Sequence, residues 1–128
     1  MVVDTSALVA ILLGEPEAER FVKLLADASD PLISAATLVE TSRVIDIKLG
    51  SGGVADLDEL LRTARLRTVA VDEAQALIAR DALARFGTGK RGLNFGDAFG
   101  YALAKAKDRP LLFKGDDFAA TDIEAAAS

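Results

Sequence analysis

Short apolar runs recur along this chain, each followed by a longer stretch with helical spacing, and that alternation leaves few folds open. The runs are Val2-Val3, Pro31-Leu32-Ile33, Thr68-Val69-Ala70-Val71 and Leu111-Leu112-Phe113. Strands joined through helices pair in parallel, and the right-handed crossover puts helices on both faces of the sheet. The expected class is therefore α/β with a short-stranded parallel central sheet. Thr5 or Ser6 can cap a helix running to Leu13, where Gly14 stops it, and Pro16 opens a second helix with Phe21, Val22, Leu24 and Leu25 on one face. A third helix is expected from Ser34 or Ala35 to about Leu49, with Leu38, Val39, Ser42, Ile45 and Leu49 at helical spacing, ended by the glycine-rich run from Gly50 to Gly53. Leu57, Leu60, Leu61 and Ala64 mark a fourth. Asp72 can cap a fifth carrying Leu77, Ile78, Ala82 and Phe86. Phe95, Ala98, Phe99, Ala102, Leu103 and Ala106 form the stripe of a sixth.

The chain has 128 residues, enough for one domain with a sizeable core, and no linker-like or repeated segment divides it. No run is long and apolar enough to span a bilayer, and the opening segment lacks the basic start of a signal peptide, so no membrane role and a cytoplasmic setting are the expectations. The chemistry is narrowed by absence. With no His and no Cys, Ser-His-Asp triads, thiol nucleophiles, His/Cys zinc cages and histidine-based RNA cleavage are excluded. An enzyme built from this sequence must use carboxylates, hydroxyls, Lys, Arg, Tyr101, or a metal held by oxygen.

The net charge is −5, yet it is unevenly spread: residues 80–114 carry eight basic and three acidic side chains. A basic lip beside an acidic body is one reading of that asymmetry; solvated helix faces are the other.

In open parallel sheets, ligands gather beyond the carboxyl ends of the strands. Asp4 and the Asp116/Asp117 pair sit just past two such ends. Each acid also has an ordinary explanation: Asp4 as a helix cap, Glu40 as a helical residue paired with Arg43, Asp116 and Asp117 as turn residues after Gly115. Asn94-Phe95-Gly96-Asp97 fits a variant capping box, with Asp97 as the acid that bonds back to Asn94. Gly96 is unhelpful to a helix, which suggests close approach of another group.

Taken together, Val2-Val3-Asp4-Thr5-Ser6, Leu38-Val39-Glu40-Thr41, Leu93-Asn94-Phe95-Gly96-Asp97-Ala98 and Leu111 through Phe118 resemble the acidic motifs of PIN-domain ribonucleases. The likeness is greatest to the VapC toxins of VapBC toxin–antitoxin pairs, and it covers nearly the whole chain. It implies a three-layer α/β/α Rossmann-like fold spanning residues 1–128, endoribonuclease activity dependent on Mg²⁺ (or Mn²⁺), a homodimer, and a cognate VapB-like antitoxin. Asp4, Glu40 and Asp97 match the family's acids. Asp117 matches the fourth, with Asp116 as its alternative. On that resemblance Asp4 and Asp97 hold the principal metal, Glu40 and Asp117 complete the site, and Thr5, Ser6 and Asn94 orient carboxylates, while Lys90 and Arg91, in the basic stretch leading into Asp97, are the expected holders of RNA phosphates. Phe95, Phe99 and Tyr101 are expected in the core or a dimer interface rather than under a base. The competing readings are a non-catalytic PIN-like interaction module and a phospho-acceptor or phosphatase-type domain.

Overall fold

The structure is a computed structural model that describes residues 1–89 and 92–127. Its elements run β1 (Val2–Val3), α1 (Thr5–Leu12), α2 (Ala18–Asp27), β2 (Leu32–Ser34), α3 (Ala35–Thr63), β3 (Arg67–Val69), α4 (Glu73–Phe86), α5 (Asp97–Lys107) and β4 (Leu111–Leu112). The strands form one parallel sheet in the order β3-β2-β1-β4. Alternate residues of each strand face opposite ways. Val2, Leu32 and Leu111 pack under α4 and α5 with Ala98, Tyr101, Ala102 and Leu103. Val3, Ile33 and Leu112 pack against Ala7 and Leu8 of α1, Phe21 and Leu25 of α2, and Leu57 of α3. Strands buried on both faces must be apolar throughout, which is why two-residue strands suffice here and why the architecture is three-layered. Among the described residues, no helix is long and apolar enough to cross a membrane.

Several local expectations shift by a few residues. The break expected across the glycine-rich run is confined to Gly50, whose φ of 71° interrupts α3. Helix resumes at once, and Gly53 packs so tightly on the first arm that a β-carbon there would fall 2.3 Å from Leu49 Cβ. The third strand starts at Arg67 and ends at Val69, earlier than expected; the Gln75 amide donates to the Ala70 carbonyl at 3.1 Å and Asp72 caps α4 through Gln75 N. On the first arm of α3 the buried face is Thr37, Thr41 and Ile45, whereas Val39 is 70% exposed. Phe95, expected in the apolar stripe of α5, is 72% exposed and meets Phe99 edge-on, while Tyr101 is buried and donates to Asp122.

With β1 central, the chain leaves it toward β2 and β3 on one side and returns to β4 on the other. The crevice beyond the carboxyl ends of β1 and β4 is thus the switch point at which such sheets place ligands.

Candidate active site

Four acids from separate parts of the sequence come together in that crevice. Asp4 ends β1 and is the cap of α1, the ordinary reading offered for it, so Thr5 and Ser6 do not serve as the cap. Glu40 projects from the first arm of α3, Asp97 opens α5, and Asp117 follows β4. Asp97 feels the charges of Asp4, Asp117 and Glu40 together, which places the four in one electrostatic neighbourhood. Of the adjacent aspartates, Asp117 is the one whose charge raises Asp97, in keeping with its match to the fourth acid.

Each carboxylate is oriented by a defined neighbour. Asp4 Oδ2 accepts from Ser6 N at 3.0 Å and from Ser6 Oγ at 2.6 Å. Ser6 Oγ in turn accepts from Lys114 N at 2.9 Å. The hydroxyl proton is thereby directed onto Asp4, and the loop after β4 is tied to the end of β1. Thr5 Oγ1 donates to Glu40 Oε1 at 2.6 Å and lies 2.9 Å from Thr41 Oγ1. Since the one proton of Thr5 goes to the carboxylate, the Thr41 hydroxyl faces both Thr5 Oγ1 and the Thr37 carbonyl, 2.8 Å away. Asp97 accepts from Asn94 N at 3.1 Å, and Asp97 N donates to Asn94 Oδ1 at 2.9 Å, the reciprocal cap expected from the sequence. Gly96 lets Glu40 lie against the backbone, for a β-carbon there would overlap the Glu40 carboxylate.

Thr5, Ser6 and Asn94 therefore do contact acids, Thr5 holding Glu40 and Ser6 holding Asp4. Lys90 and Arg91 lie outside the described residues. Elsewhere in the basic stretch, Arg85 pairs with Asp81, Lys105 with Asp122, Arg109 with Asp30, and Lys114 with Glu15 and Glu17. Opposite charges have found each other, so the surplus at those positions is locally balanced. Thr37, Thr41 and the Lys114 backbone were not singled out by the sequence. Thr37 and Thr41 could have been, as two hydroxyls one helical turn apart beside Glu40.

Burial first, with a further push from Glu40, moves Asp4 up to about 6 against the opposing Ser6 hydrogen bonds. Burial first, with repulsion from Asp4, Asp117 and Glu40, moves Asp97 up to about 7 against the Asn94 amide. The two interact, so they titrate as a set. Both folded values exceed the ordinary 3.8, so the protonated forms favour folding. Their contribution is whole below about pH 4 and is lost as the pH rises through about 6 to 7. The melting temperature of the metal-free protein should thus fall between pH 4.5 and 7.5, by on the order of 5 °C. The chain has no histidine in that window, the Met1 amino group, lowered by burial, works the other way toward its upper end, and Asp30 and Asp122, held below their usual range by hydrogen bonds from Arg67 and Tyr101, act beneath it. A melt that stays level or climbs across this range refutes the buried repulsion.

The PIN-domain family profile matches residues 1–124. The ribonuclease VapC of Mycolicibacterium smegmatis is 49% identical over 127 residues, covering 98% of each chain. The chain belongs to the PIN-domain family of VapC ribonucleases. Ribonuclease VapC30 of Mycobacterium tuberculosis is 47% identical over 129 residues, 99% of this chain and 98% of that protein. Among solved structures, VapC20 of Mycobacterium tuberculosis, described as a toxin cleaving the sarcin–ricin loop, has a TM-score of 0.78 at 22% identity and covers 95% of both chains. VapBC2 of Rickettsia felis, bound to a DNA fragment from its promoter, gives a TM-score of 0.74 at 19% identity over 97% of this chain and 94% of that one. These two likenesses concern the fold. Family membership sets aside the phospho-acceptor reading.

Proposed function

We propose that the chain is a divalent-metal-dependent endoribonuclease, the toxin of a toxin–antitoxin pair, with Asp4 and Asp97 as the principal metal ligands. The observation that carries this is the gathering of Asp4, Glu40 and Asp117 around Asp97, with Asp4 and Asp97 both buried. Buried carboxylates that repel one another are costly, and a hard cation is the natural compensation. No three acids among the described residues stand as a ready-made cage. Mg²⁺ fits such a set because it keeps several waters and needs only one or two direct carboxylates. When bound, such an ion supplies a water of lowered pKa and neutralises charge growing on the phosphoryl oxygens.

The chain's own residues do the rest. Ser6 fixes the Asp4 carboxylate and Asn94 that of Asp97, leaving the remaining oxygens for the ion. Glu40, held by Thr5 and lodged on Gly96, and the exposed Asp117 would add negative charge that helps retain the ion. Lys90 and Arg91 contact RNA phosphates, giving affinity without sequence reading. An antitoxin of the VapB kind is the expected protein partner, and the exposed Val39, Ile47 and Leu49 offer apolar surface to it or to a second copy of the chain.

Cleavage of single-stranded RNA should appear with Mg²⁺ or Mn²⁺ and vanish in excess chelator. Asp4→Asn should cut the rate by about 10²-fold or more, the scale of losing one charge-stabilising group. Undiminished cleavage in chelator, or by the variant, overturns the proposal.

A further inference from the structure

Two buried polar atoms near the site make no hydrogen bond: Asp4 Oδ1 and Thr37 Oγ1, in residues only 2% and 1% exposed. Both face one point beside Gly100. A β-carbon built on Gly100 would stand 3.6 Å from Asp4 Oδ1, 4.0 Å from Thr37 Oγ1 and 3.5 Å from Leu111 Cδ1. Those are ordinary contact distances, so packing does not forbid alanine at this position. Gly100 is an interior residue of α5, where glycine weakens a helix relative to alanine. Its backbone also lacks the positive φ that would call for glycine. A helix weakened without steric need suggests that the space itself is used.

We propose that Thr37 is a positioning residue for Asp4, acting through one water held in the gap that Gly100 leaves open. The water donates one hydrogen to Asp4 Oδ1 and accepts the hydrogen of Thr37 Oγ1. Each orphaned atom then has a partner, and both oxygens of Asp4 are fixed: Oδ2 by Ser6, Oδ1 by the Thr37-bound water. The site is polar on two sides and closed by Leu111 on the third, the kind of place in which a buried water becomes part of the structure. Thr37 lies one helical turn before Thr41, so the same face of α3 sends one hydroxyl toward Asp4 and another toward the Thr5–Glu40 bond. The consequence for cation binding rests on reading Asp4 as a ligand; the water itself does not.

Two measurements separate these. A crystal structure of the metal-free protein should show an ordered water within hydrogen-bond distance of both Asp4 Oδ1 and Thr37 Oγ1, absent from Gly100→Ala. Calorimetric titration with Mn²⁺ alone should show Thr37→Val and Gly100→Ala weakened by about 10- to 100-fold, the usual effect of losing an outer-shell partner, with Thr37→Ser close to the native chain. Gly100→Ala should keep the native circular dichroism spectrum, its gain in helix propensity offset by the two buried polar atoms left unpaired, and Thr37→Ser, which keeps the hydroxyl, controls for damage to the fold. A water in place with no Mn²⁺ binding by the native chain refutes the cation reading and keeps the bridge. Native affinity in both Thr37→Val and Gly100→Ala, or a gap without ordered water, overturns the bridge itself.

Discussion

Replacing Asp97 by asparagine should lower RNA cleavage by about 10²-fold or more while raising the melting temperature of the metal-free protein at pH 7.5. The opposite signs have one origin. Asp97 is 5% exposed and is pushed up to about 7, so holding it ionised among Asp4, Glu40 and Asp117 costs folding free energy. An amide removes that cost. Its oxygen can still accept from Asn94 N, and its NH₂ group meets neighbouring carboxylates with attraction in place of repulsion. The gain should be on the order of 1 to 2 kcal/mol, a few degrees at this size, and should shrink toward pH 4, where the native carboxyl is protonated anyway. Addition of Mg²⁺ or Mn²⁺ should reverse the ranking, because the native site gains stability from an ion that the variant binds poorly. Thermal melts at pH 4.5 and 7.5, with and without Mn²⁺, read all of this. A variant less stable than the native chain at pH 7.5 without metal would show that Asp97 is structural rather than held in strain for a ligand.

Gly96→Ala should be nearly as damaging to activity without unfolding the protein. The added methyl would overlap the Glu40 carboxylate, which sits at the end of a flexible side chain and can swing away. Backbone strain is not the issue, since Gly96 already has helical angles of −63° and −40°. Displacing Glu40 breaks its bond from Thr5, a loss of about 1 kcal/mol that alanine's smaller freedom in the unfolded chain offsets to a similar degree, since the backbone angles of Gly96 suit it. The melting temperature should therefore move little, while the cleavage rate falls by about 10- to 100-fold, as when a supporting contact of a metal site is removed. Wild-type turnover by Gly96→Ala would remove Glu40 from the chemistry.

Much of the scaffold could be read directly. Val2-Val3, Leu32-Ile33 and Leu111-Leu112 are apolar on both faces because helices cover both sides of the sheet, and the predicted parallel sheet follows from that. The cap from Asn94 to Asp97 and the cap at Asp72 were legible because both ends of each bond lie within one helical turn. The first arm of α3 was misread for the converse reason. Of the expected stripe Leu38 and Ile45 do turn inward, but Val39 and Leu49 are exposed, and Thr37 and Thr41 complete the buried face because it meets polar groups at the start of α1 far away in sequence. Phe95 misled in the same way, its exposure being set by the turn that delivers Asp97 to the crevice.

Local periodicity was enough to determine the fold class, the lack of His and Cys left carboxylates, hydroxyls, Lys, Arg, Tyr101 or an oxygen-bound metal as the available tools, and the resemblance to PIN domains singled out the acids. The strand order decided what no pattern along the chain contains: that the charges of Asp4, Glu40 and Asp117 act together on Asp97, and that Gly96 and Gly100 stand against Glu40 and Asp4. Such contacts join residues many positions apart, and their energies of repulsion, burial and close approach exist only once the chain has folded and water has been expelled.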